Sequence, residues 1–313
     1  MNFEKYYIKE FRKKILPSLR ELRPNFTILF FDIFLGFGLI VVVAISTNYL
    51  LEFFSQNNLI ISVILVLSSL LYGFFISYLS LFVHEAAHYN LHPDKKINDF
   101  LANTFLCIFV FQSISNYRKI HLDHHKFHGT VNDTENSYFN YPSIVFLLQT
   151  LFLYRPFKVL FSRSKKLNEN KAKSLDLYFI YPAFLNLIVV IVFFNIGDLF
   201  YSITWIAGLV CFYPFFASLR QIIEHRDPKY KDKEEFFNKD HGEFTIHFKK
   251  SIFSHFFGGA GFRSHIIHHL EPSFSYTLLD KIEKIFLENL PDDYKKEFID
   301  RKTTYLKAFL KLV

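Results

Sequence analysis

The stretch His121-Leu122-Asp123-His124-His125-Lys126-Phe127-His128 carries four histidines, at relative positions 0, 3, 4 and 7. On an α-helix this spacing places all four imidazoles on one face, stacked over two turns. Neutral imidazole is a common ligand of iron, copper and zinc. We therefore expect this helix to form one wall of a metal centre, and the rest of the chain must fold so that it supplies the remaining ligands.

Three further sets of histidines occur elsewhere in the sequence. They are His84, His88 and His92; the lone His225; and His265, His268 and His269. Together with the first stretch, these sets contain eleven of the 14 histidines. The last set repeats the 0, 3, 4 spacing of His121, His124 and His125, a repetition that chance rarely produces. We predict that all four sets converge on one polynuclear metal centre at a membrane surface.

The composition is typical of a membrane protein. Of the 313 residues, 51% are hydrophobic and 19% aromatic, and the apolar residues occur in long blocks. Cys107 and Cys211 each lie inside such a block, which excludes a disulfide framework and a cysteine-based metal site.

The basic residues 1–25 contain no apolar core of the signal-peptide kind, so we expect no cleaved leader. Their apolar spacing predicts an amphipathic helix lying on the membrane surface.

Four apolar segments are long enough to cross a bilayer, which requires about 20 residues. Polar turns at 55–58 and 195–198 join them into two hairpins. The predicted spans are residues 26–54, 59–83, 175–194 and 199–219. Two shorter apolar blocks, 101–111 and 143–154, are predicted to be re-entrant or interfacial. The sequence thus predicts an all-α integral membrane protein in which residues 1–313 form a single domain.

The distribution of basic residues predicts the orientation. The formal net charge is +7, yet no Lys or Arg occurs between Arg23 and Lys95 or between Lys173 and Arg220. By the positive-inside rule, both hairpin turns face outward and both termini are cytoplasmic. This assignment does not use the histidines, but it places all four histidine sets on the cytoplasmic side.

Two other classes of protein can be argued from parts of the sequence. His84-Glu85-Ala86-Ala87-His88 fits the HExxH signature of zinc metalloproteases, in which Glu85 would be the general base. A membrane zinc hydrolase leaves the other histidine sets without a role. Even without His92 and His128, nine imidazoles exceed the four ligands that zinc takes. The other class is a non-enzymatic metal transporter or sensor with a histidine-rich cytosolic cap. Transport needs ionisable groups inside the spans, and Asp32 is the one that lies deep in a predicted span. Metal content distinguishes the hydrolase, with one zinc, from a protein that holds two metal ions.

The order of the motifs resembles that of the integral-membrane fatty acid desaturases and hydroxylases over roughly residues 26–280. These motifs are HxxxH, HxxHH, a histidine after the last span and a second HxxHH. The resemblance implies a four-helix membrane bundle, a cytosolic helical cap (84–174 and 220–313) and a di-iron centre. The motif Glu224-His225-Arg226 is similar to the corresponding motif in the branch of the family that contains fatty-acyl, sphingolipid and carotenoid enzymes. The implied metal ligands are His84, His88, His121, His124, His125, His225, His265, His268 and His269.

Some positions depart from the family pattern or exceed it. Relatives hold a metal-bound water with an asparagine four residues before the lone histidine, where this chain has Gln221. His92 and His128 are additional to the nine implied ligands, and the sequence leaves their roles open. Ligating imidazoles need neighbours that fix their orientation. The nearest carboxylates in the sequence are Glu85, Asp123, Asp133, Glu135 and Glu224.

The resemblance also implies the reaction and the partners. Two iron ions and O₂ would remove hydrogen from an unactivated CH₂ group of a fatty acyl or related lipid chain. Removal of a second hydrogen gives desaturation, whereas oxygen transfer makes the enzyme a hydroxylase or ketolase, and the ligand residues do not distinguish these outcomes. The expected partners are the lipid substrate, the membrane and an external electron carrier, either ferredoxin-like or a b-type cytochrome. No nucleic-acid partner is expected.

Overall fold

The computed structural model describes residues 6–128, 177–225 and 245–312, together with 130, 132–135, 138, 143–152, 154 and 157–158. The described residues are almost entirely helical, which confirms the all-α class. A π-helical turn, Tyr7–Phe11, leads into the first α-helix. The α-helices are α1 (Arg12–Arg20), α2 (Phe26–Phe53), α3 (Asn58–Ala87), α4 (Lys95–Leu101), α5 (Ile114–Phe127), α6 (Ile144–Leu151), α7 (Leu177–Ile196), α8 (Leu199–Ala207), α9 (Tyr213–His225), α10 (Ile252–Phe257), α11 (His265–Leu270), α12 (Tyr276–Asn289), α13 (Asp292–Asp300) and α14 (Tyr305–Leu310).

Four helical segments among the described residues are long and apolar enough to cross a membrane, as predicted. They are Phe26–Phe53, Asn58–Ala87, Phe179–Ile196 and Leu199–His225. Phe34 and Phe53 on the first of them are 70% and 68% exposed, which suits a surface that faces lipid. The second and fourth helices continue past the predicted ends at residues 83 and 219. Each of these two helices therefore carries a histidine, His84 or His225, in its last turn.

Glycines let the second and fourth spanning helices pack at backbone contact. A Cβ atom on Gly73 would lie 2.3 Å from the Cβ of Phe212, and one on Gly208 would lie 2.6 Å from the Cβ of Tyr72. Small residues at such crossings are typical of membrane helices because they allow the backbones to approach. Gly208 and Phe212 lie in a π-helical turn, Gly208–Phe212, that leads into α9. The crossing places α9 along α3, so that their carboxyl ends lie on the same side of the bundle.

The apolar block at 101–111 forms most of the first arm of a re-entrant hairpin and the start of its turn. The two arms of the hairpin, Lys95–Phe109 and Ile114–Phe127, meet at 83°. Both arms return to the same end of α3, because the side chains of Asn98 and Arg118 donate to the carbonyl oxygen of Ala86 at 3.0 and 3.1 Å. The hairpin therefore enters and leaves on one side, as the sequence predicts for a segment too short to span.

The N-terminal amphipathic helix is present, but its apolar face packs on the protein. Tyr7, Phe11, Ile15 and Leu19 are each at most 2% exposed. The rings of Tyr7 and Phe11 lie 5.3 and 5.5 Å from that of Phe286 on α12. The prediction that this stripe lies on the membrane surface is wrong, because α12 supplies a protein surface that buries it.

The C-terminal helices α10–α14 pack around the ends of the spanning helices. A two-stranded parallel sheet, β1 (His247–Phe248) and β2 (Lys302–Thr303), joins the two ends of this region. Helix α10 contacts α3, and α14 contacts α9. Parts of the predicted cap, at 159–176 and 226–244, including His241, lie outside the described residues.

Candidate metal centre

Arg118 joins the helices that carry the first two histidine sets. Its guanidinium group on α5 donates to the carbonyl oxygens of Ala86 and Ala87 at 3.1 and 2.9 Å, at the carboxyl end of α3. It also binds the carboxylate of Asp99, with Nη1 3.1 Å from Oδ2. The last carbonyls of a helix lack partners within the helix, and a cation there is favoured by the helix dipole. Arg118 thus fixes the end of the second span against the helix of the second histidine set.

Ten histidines form two adjacent clusters. In the first cluster, one ring nitrogen from each of five histidines lies within 4.8 Å of all the others. Its members are His84, His88, His121, His125 and His268. The second cluster consists of two groups of three that share one histidine. Its members are His124, His128, His225, His265 and His269. The rings of His125 and His269 lie 4.6 Å apart between centroids and connect the two clusters.

The Nε2 atoms converge within the first cluster. Nε2 of His121 lies 3.0 Å from that of His88 and 2.9 Å from that of His125. Nε2 of His125 also lies 3.1 Å from that of His268. An imidazole nitrogen offers one in-plane proton or one lone pair. A nitrogen that faces two others at this distance is therefore better satisfied by a shared cation than by hydrogen bonds.

The second cluster shows the same convergence around a different histidine. Nε2 of His265 lies 3.0 Å from that of His225 and 3.2 Å from that of His269. The ring of His124 lies 5.1 Å from that of His225 between centroids. The lone histidine after the fourth span is thus brought to the third histidine set, although 40 residues separate His225 from His265.

The nitrogen separations fit ions with five or six ligands. Metal–imidazole bonds of about 2.1 Å place neighbouring nitrogens about 3.0 Å apart in octahedral geometry and about 3.4 Å apart in tetrahedral geometry. The shortest separations, 2.9 to 3.2 Å, lie near the octahedral spacing, and the ligand atoms of each group all lie within 4.8 Å of one another. Sites made of imidazole without thiolate suit divalent first-row metals, including iron. The residues therefore fit a pair of such ions better than one tetrahedral zinc.

Burial keeps the imidazoles of the third set neutral. Desolvation lowers the pKa of His265, His268 and His269 well below the usual histidine range, and neighbouring cationic or imidazole groups lower it further. Because protonation would add a charge inside a buried site, the neutral form is favoured. A neutral imidazole keeps the lone pair that a metal requires.

Asp133 orients imidazoles of the second cluster. Its Oδ1 lies 2.8 Å from Nδ1 of His124, and its Oδ2 accepts a hydrogen bond from the hydroxyl of Tyr138 at 2.5 Å. Burial alone would raise the pKa of Asp133, but the charge and hydrogen bond of His124, followed by those of His128, hold it well below its usual range. An ionised carboxylate can only accept, so His124 donates from Nδ1 and presents Nε2 to the cluster.

Glu135 serves the first cluster and is linked to Gln221. Its Oε1 lies 3.4 Å from Nδ1 of His121, and its Oε2 accepts a hydrogen bond from Nε2 of Gln221 at 3.2 Å. The sequence offers Asp133 and Glu135 among the carboxylates near the ligands and leaves open whether Gln221 anchors a metal-bound water. In the structure, the amide nitrogen of Gln221 reaches the first cluster through Glu135.

Two other carboxylates considered from sequence bind groups outside the clusters, although Oε2 of Glu224 also lies 4.0 Å from Nε2 of His265. Glu85 is fully buried and accepts a hydrogen bond from the backbone N–H of Tyr276 at 3.3 Å, in the first turn of α12. Glu224 accepts the hydroxyl of Tyr305 at 3.0 Å and pairs with Arg220 at 3.2 Å, which ties α9 to α14. In a zinc hydrolase the HExxH glutamate acts as general base beside the metal. Glu85 instead caps a helix.

His92 lies outside both clusters. Its Nδ1 accepts a hydrogen bond from the backbone N–H of Asp94 at 3.0 Å, in the turn before α4.

Sequence reasoning missed Arg118 and Tyr138. Arg118 lies one turn before His121 on the same face of α5, a spacing that could have marked it. No local pattern marks Tyr138.

The fold and the site define a multi-pass membrane protein with two adjacent histidine clusters suited to metal ions. The sequence pattern of the fatty acid desaturase family matches residues 61–301, more than half of the chain, and this range includes every histidine of both clusters. A comparison with curated proteins finds no match. The chain belongs to the fatty acid desaturase family, and it is therefore an oxidoreductase of the lipid desaturase or hydroxylase type.

Proposed function

We propose that the protein is a membrane-bound di-iron enzyme that uses O₂ and external electrons to desaturate a fatty acyl or related lipid chain. One observation carries the proposal: imidazoles from separate helices converge on two adjacent sites at the ends of membrane-spanning helices. When bound, the two irons supply the oxidation of an unactivated CH₂ group by O₂. The nine histidines of the family pattern hold the ions, and Asp133 and Glu135 orient their rings.

The chain also shields the proposed reaction from water. His84 and His268 are 6% and 0% exposed, and the ring of Phe262 packs against both, at 4.6 and 5.6 Å between centroids. An apolar wall beside the ligands suits a hydrocarbon substrate, because such a chain loses nothing when it leaves water. It also limits side reactions of the centre with solvent.

An apolar groove of about 270 Å³ lies among the spanning helices and is open on one side. It is lined by α2, α7 and α8 and by the first arm of the re-entrant hairpin, with Phe37, Ile40, Val189 and Phe193 among its walls. We propose that part of a lipid chain occupies it.

We propose that both termini and both clusters are cytoplasmic. The support is the absence of Lys and Arg from the two hairpin turns, although the chain as a whole is basic. Reporter fusions at Asn57 and Gly197 should both report the outside, and a cytoplasmic signal at either would contradict the scheme. Electrons would then arrive from a cytoplasmic carrier, ferredoxin-like or a b-type cytochrome.

Metal and product analysis together test the proposal. The purified chain should carry close to two irons, and with a reductant, O₂ and acyl lipid it should yield an alkene. An alcohol or ketone as the main product would assign hydroxylase or ketolase activity on the same scaffold. One zinc per chain, with no iron taken up under anaerobic loading, would overturn the di-iron proposal and restore the hydrolase.

A further inference from the structure

We infer that His128 is a tenth metal ligand, so that the second cluster holds its ion with the same set of groups as the first. The inference rests on the proposed di-iron function, because it assumes that ions occupy the clusters. It goes beyond the nine ligands of the family pattern.

The arrangement of the ligands along the helices points to His128. The first cluster consists of two pairs of histidines and one single histidine, and the members of each pair are four residues apart. These are His84 with His88, His121 with His125, and the single His268. The second cluster has one such pair, His265 with His269, and the single His225. His124 and His128 form the missing second pair, one turn apart on α5 and at its C-cap.

The position of the ring agrees with this assignment. His128 is 1% exposed, and its ring centroid lies 4.5, 4.7 and 4.9 Å from those of His225, His269 and His124. Its ligand atom falls within 4.8 Å of those of His124 and His225. An imidazole buried among three others gains little from water and is placed to share their cation.

The ring of His128 is held in the same way as the ring of His124, its partner in the pair. Nδ1 of His128 lies 3.5 Å from Oδ2 of Asp133 and 3.4 Å from the hydroxyl of Tyr138. Because these two groups hold Nδ1, Nε2 is the nitrogen that remains to bind an ion. One carboxylate thus orients both His124 and His128, and groups that hold the second nitrogen of an imidazole are a regular feature of metal ligands.

If His128 binds the second ion, it fills the coordination position that a water would otherwise occupy. Gln221, at the position where relatives anchor that water, is engaged by Glu135 in this chain. His128 supplies a neutral nitrogen donor in its place. The second ion should therefore be held more tightly than by four imidazoles and a water.

The experiment compares the full-length chain with three variants in lipid nanodiscs: His128→Gly, His124→Gly as a positive control, and His92→Gly as a matched control outside the clusters. Each is depleted of metal and titrated anaerobically with Fe²⁺ against a chelator. X-ray absorption then counts the imidazoles per iron. We expect His128→Gly to keep the first ion, to bind the second at least about 10-fold more weakly, and to regain it when free imidazole is added. His92→Gly should match the wild type.

Retention of both irons by His128→Gly at wild-type affinity and imidazole count would overturn the inference. A loss that imidazole fails to restore, in a variant that keeps the first ion, would also overturn it and would make His128 structural. If His128→Gly does not fold, His128→Gln replaces it, since its amide still reaches Asp133. Failure of the wild-type chain itself to bind two irons would instead refute the proposed function, and the two failures are thereby separated.

Discussion

Nε of Arg118 lies 2.9 Å from the carbonyl oxygen of Ala87, the last residue of α3. Thirty-one positions separate the two residues, and each lies next to a set of histidines. The contact therefore does more than cap a helix, because it determines how far apart the first two histidine sets lie. Other contacts in the structure also position the histidine ligands without touching a metal.

Arg118→Lys should destabilise the protein and weaken metal binding. Lysine cannot bridge Ala86, Ala87 and Asp99 at once, and each hydrogen bond to a charged group contributes about 1.5–3 kcal/mol. We expect a loss of about 3 kcal/mol or more in unfolding free energy, and loss of iron from the first cluster. Thermal unfolding and iron content measure these effects. Arg20→Lys, at an exposed position, is the control, and an equal loss there would contradict the assignment.

Asp133→Asn and Glu135→Gln should damage different clusters. Asp133 contacts His124 and Glu135 contacts His121, so each variant removes the orienting carboxylate of one cluster. Changes to such partners typically lower metal affinity about 10- to 100-fold. Mössbauer spectra of the iron-loaded variants should show loss of a different iron site in each. Identical losses in both variants would mean that the clusters behave as a single unit.

Glu85→Gln should leave iron content and lipid oxidation within several-fold of the wild type. A glutamine oxygen can still accept the N–H of Tyr276, so the cap of α12 survives the change. His84→Ala at equal expression should be inactive and depleted of iron. If Glu85→Gln abolishes activity while iron content is normal, Glu85 takes part in the chemistry and the helix-cap assignment is wrong.

The contact between the N-terminal segment and Glu271 should hold the third histidine set in place. Glu271, two residues after His269, accepts the hydroxyl of Tyr7 at 2.7 Å and pairs with Arg12. Tyr7→Phe and Glu271→Gln should each cost about 1–3 kcal/mol, because each leaves a buried polar group with fewer partners. The double variant should cost clearly less than the sum of the two. Additive losses would show that the two residues are not coupled, and Lys13→Met is the exposed control.

Acid should remove a stabilising interaction at Glu283. Burial alone would raise the pKa of Glu283, but hydrogen bonds from His247 and Lys302 lower it to about 2. A carboxylate whose pKa is depressed on folding stabilises the protein above its unfolded pKa, and this stability is lost as the pH falls towards 2. Glu283→Gln should therefore lower stability at pH 6 by on the order of 2–3 kcal/mol. Its unfolding should also depend less on pH between 5 and 3, and an unchanged slope would refute the assignment.

The parts of the site that depend on helical spacing were predictable from the sequence. The 0, 3, 4 and 7 pattern on α5 marks one helical face, and the distribution of Lys and Arg predicts that the histidine sets share one side of the membrane. The division of that pattern between two clusters was not predictable, because it depends on the crossing of α3, α5 and α9. Glu85 shows the same limit, since its partner, Tyr276, lies 191 residues away.

The arrangement of the ligands along the chain imposes an order on biogenesis. Once synthesis has passed His125, four imidazoles of the first cluster exist, which is the full ligand count of a tetrahedral zinc site. The fifth, His268, follows 143 residues later, and its helix is secured when Glu271 meets Tyr7 and Arg12. Until then a nascent or truncated chain offers only the four imidazoles that a tetrahedral zinc would take, and the fifth arrives when the newest part of the chain closes against the oldest.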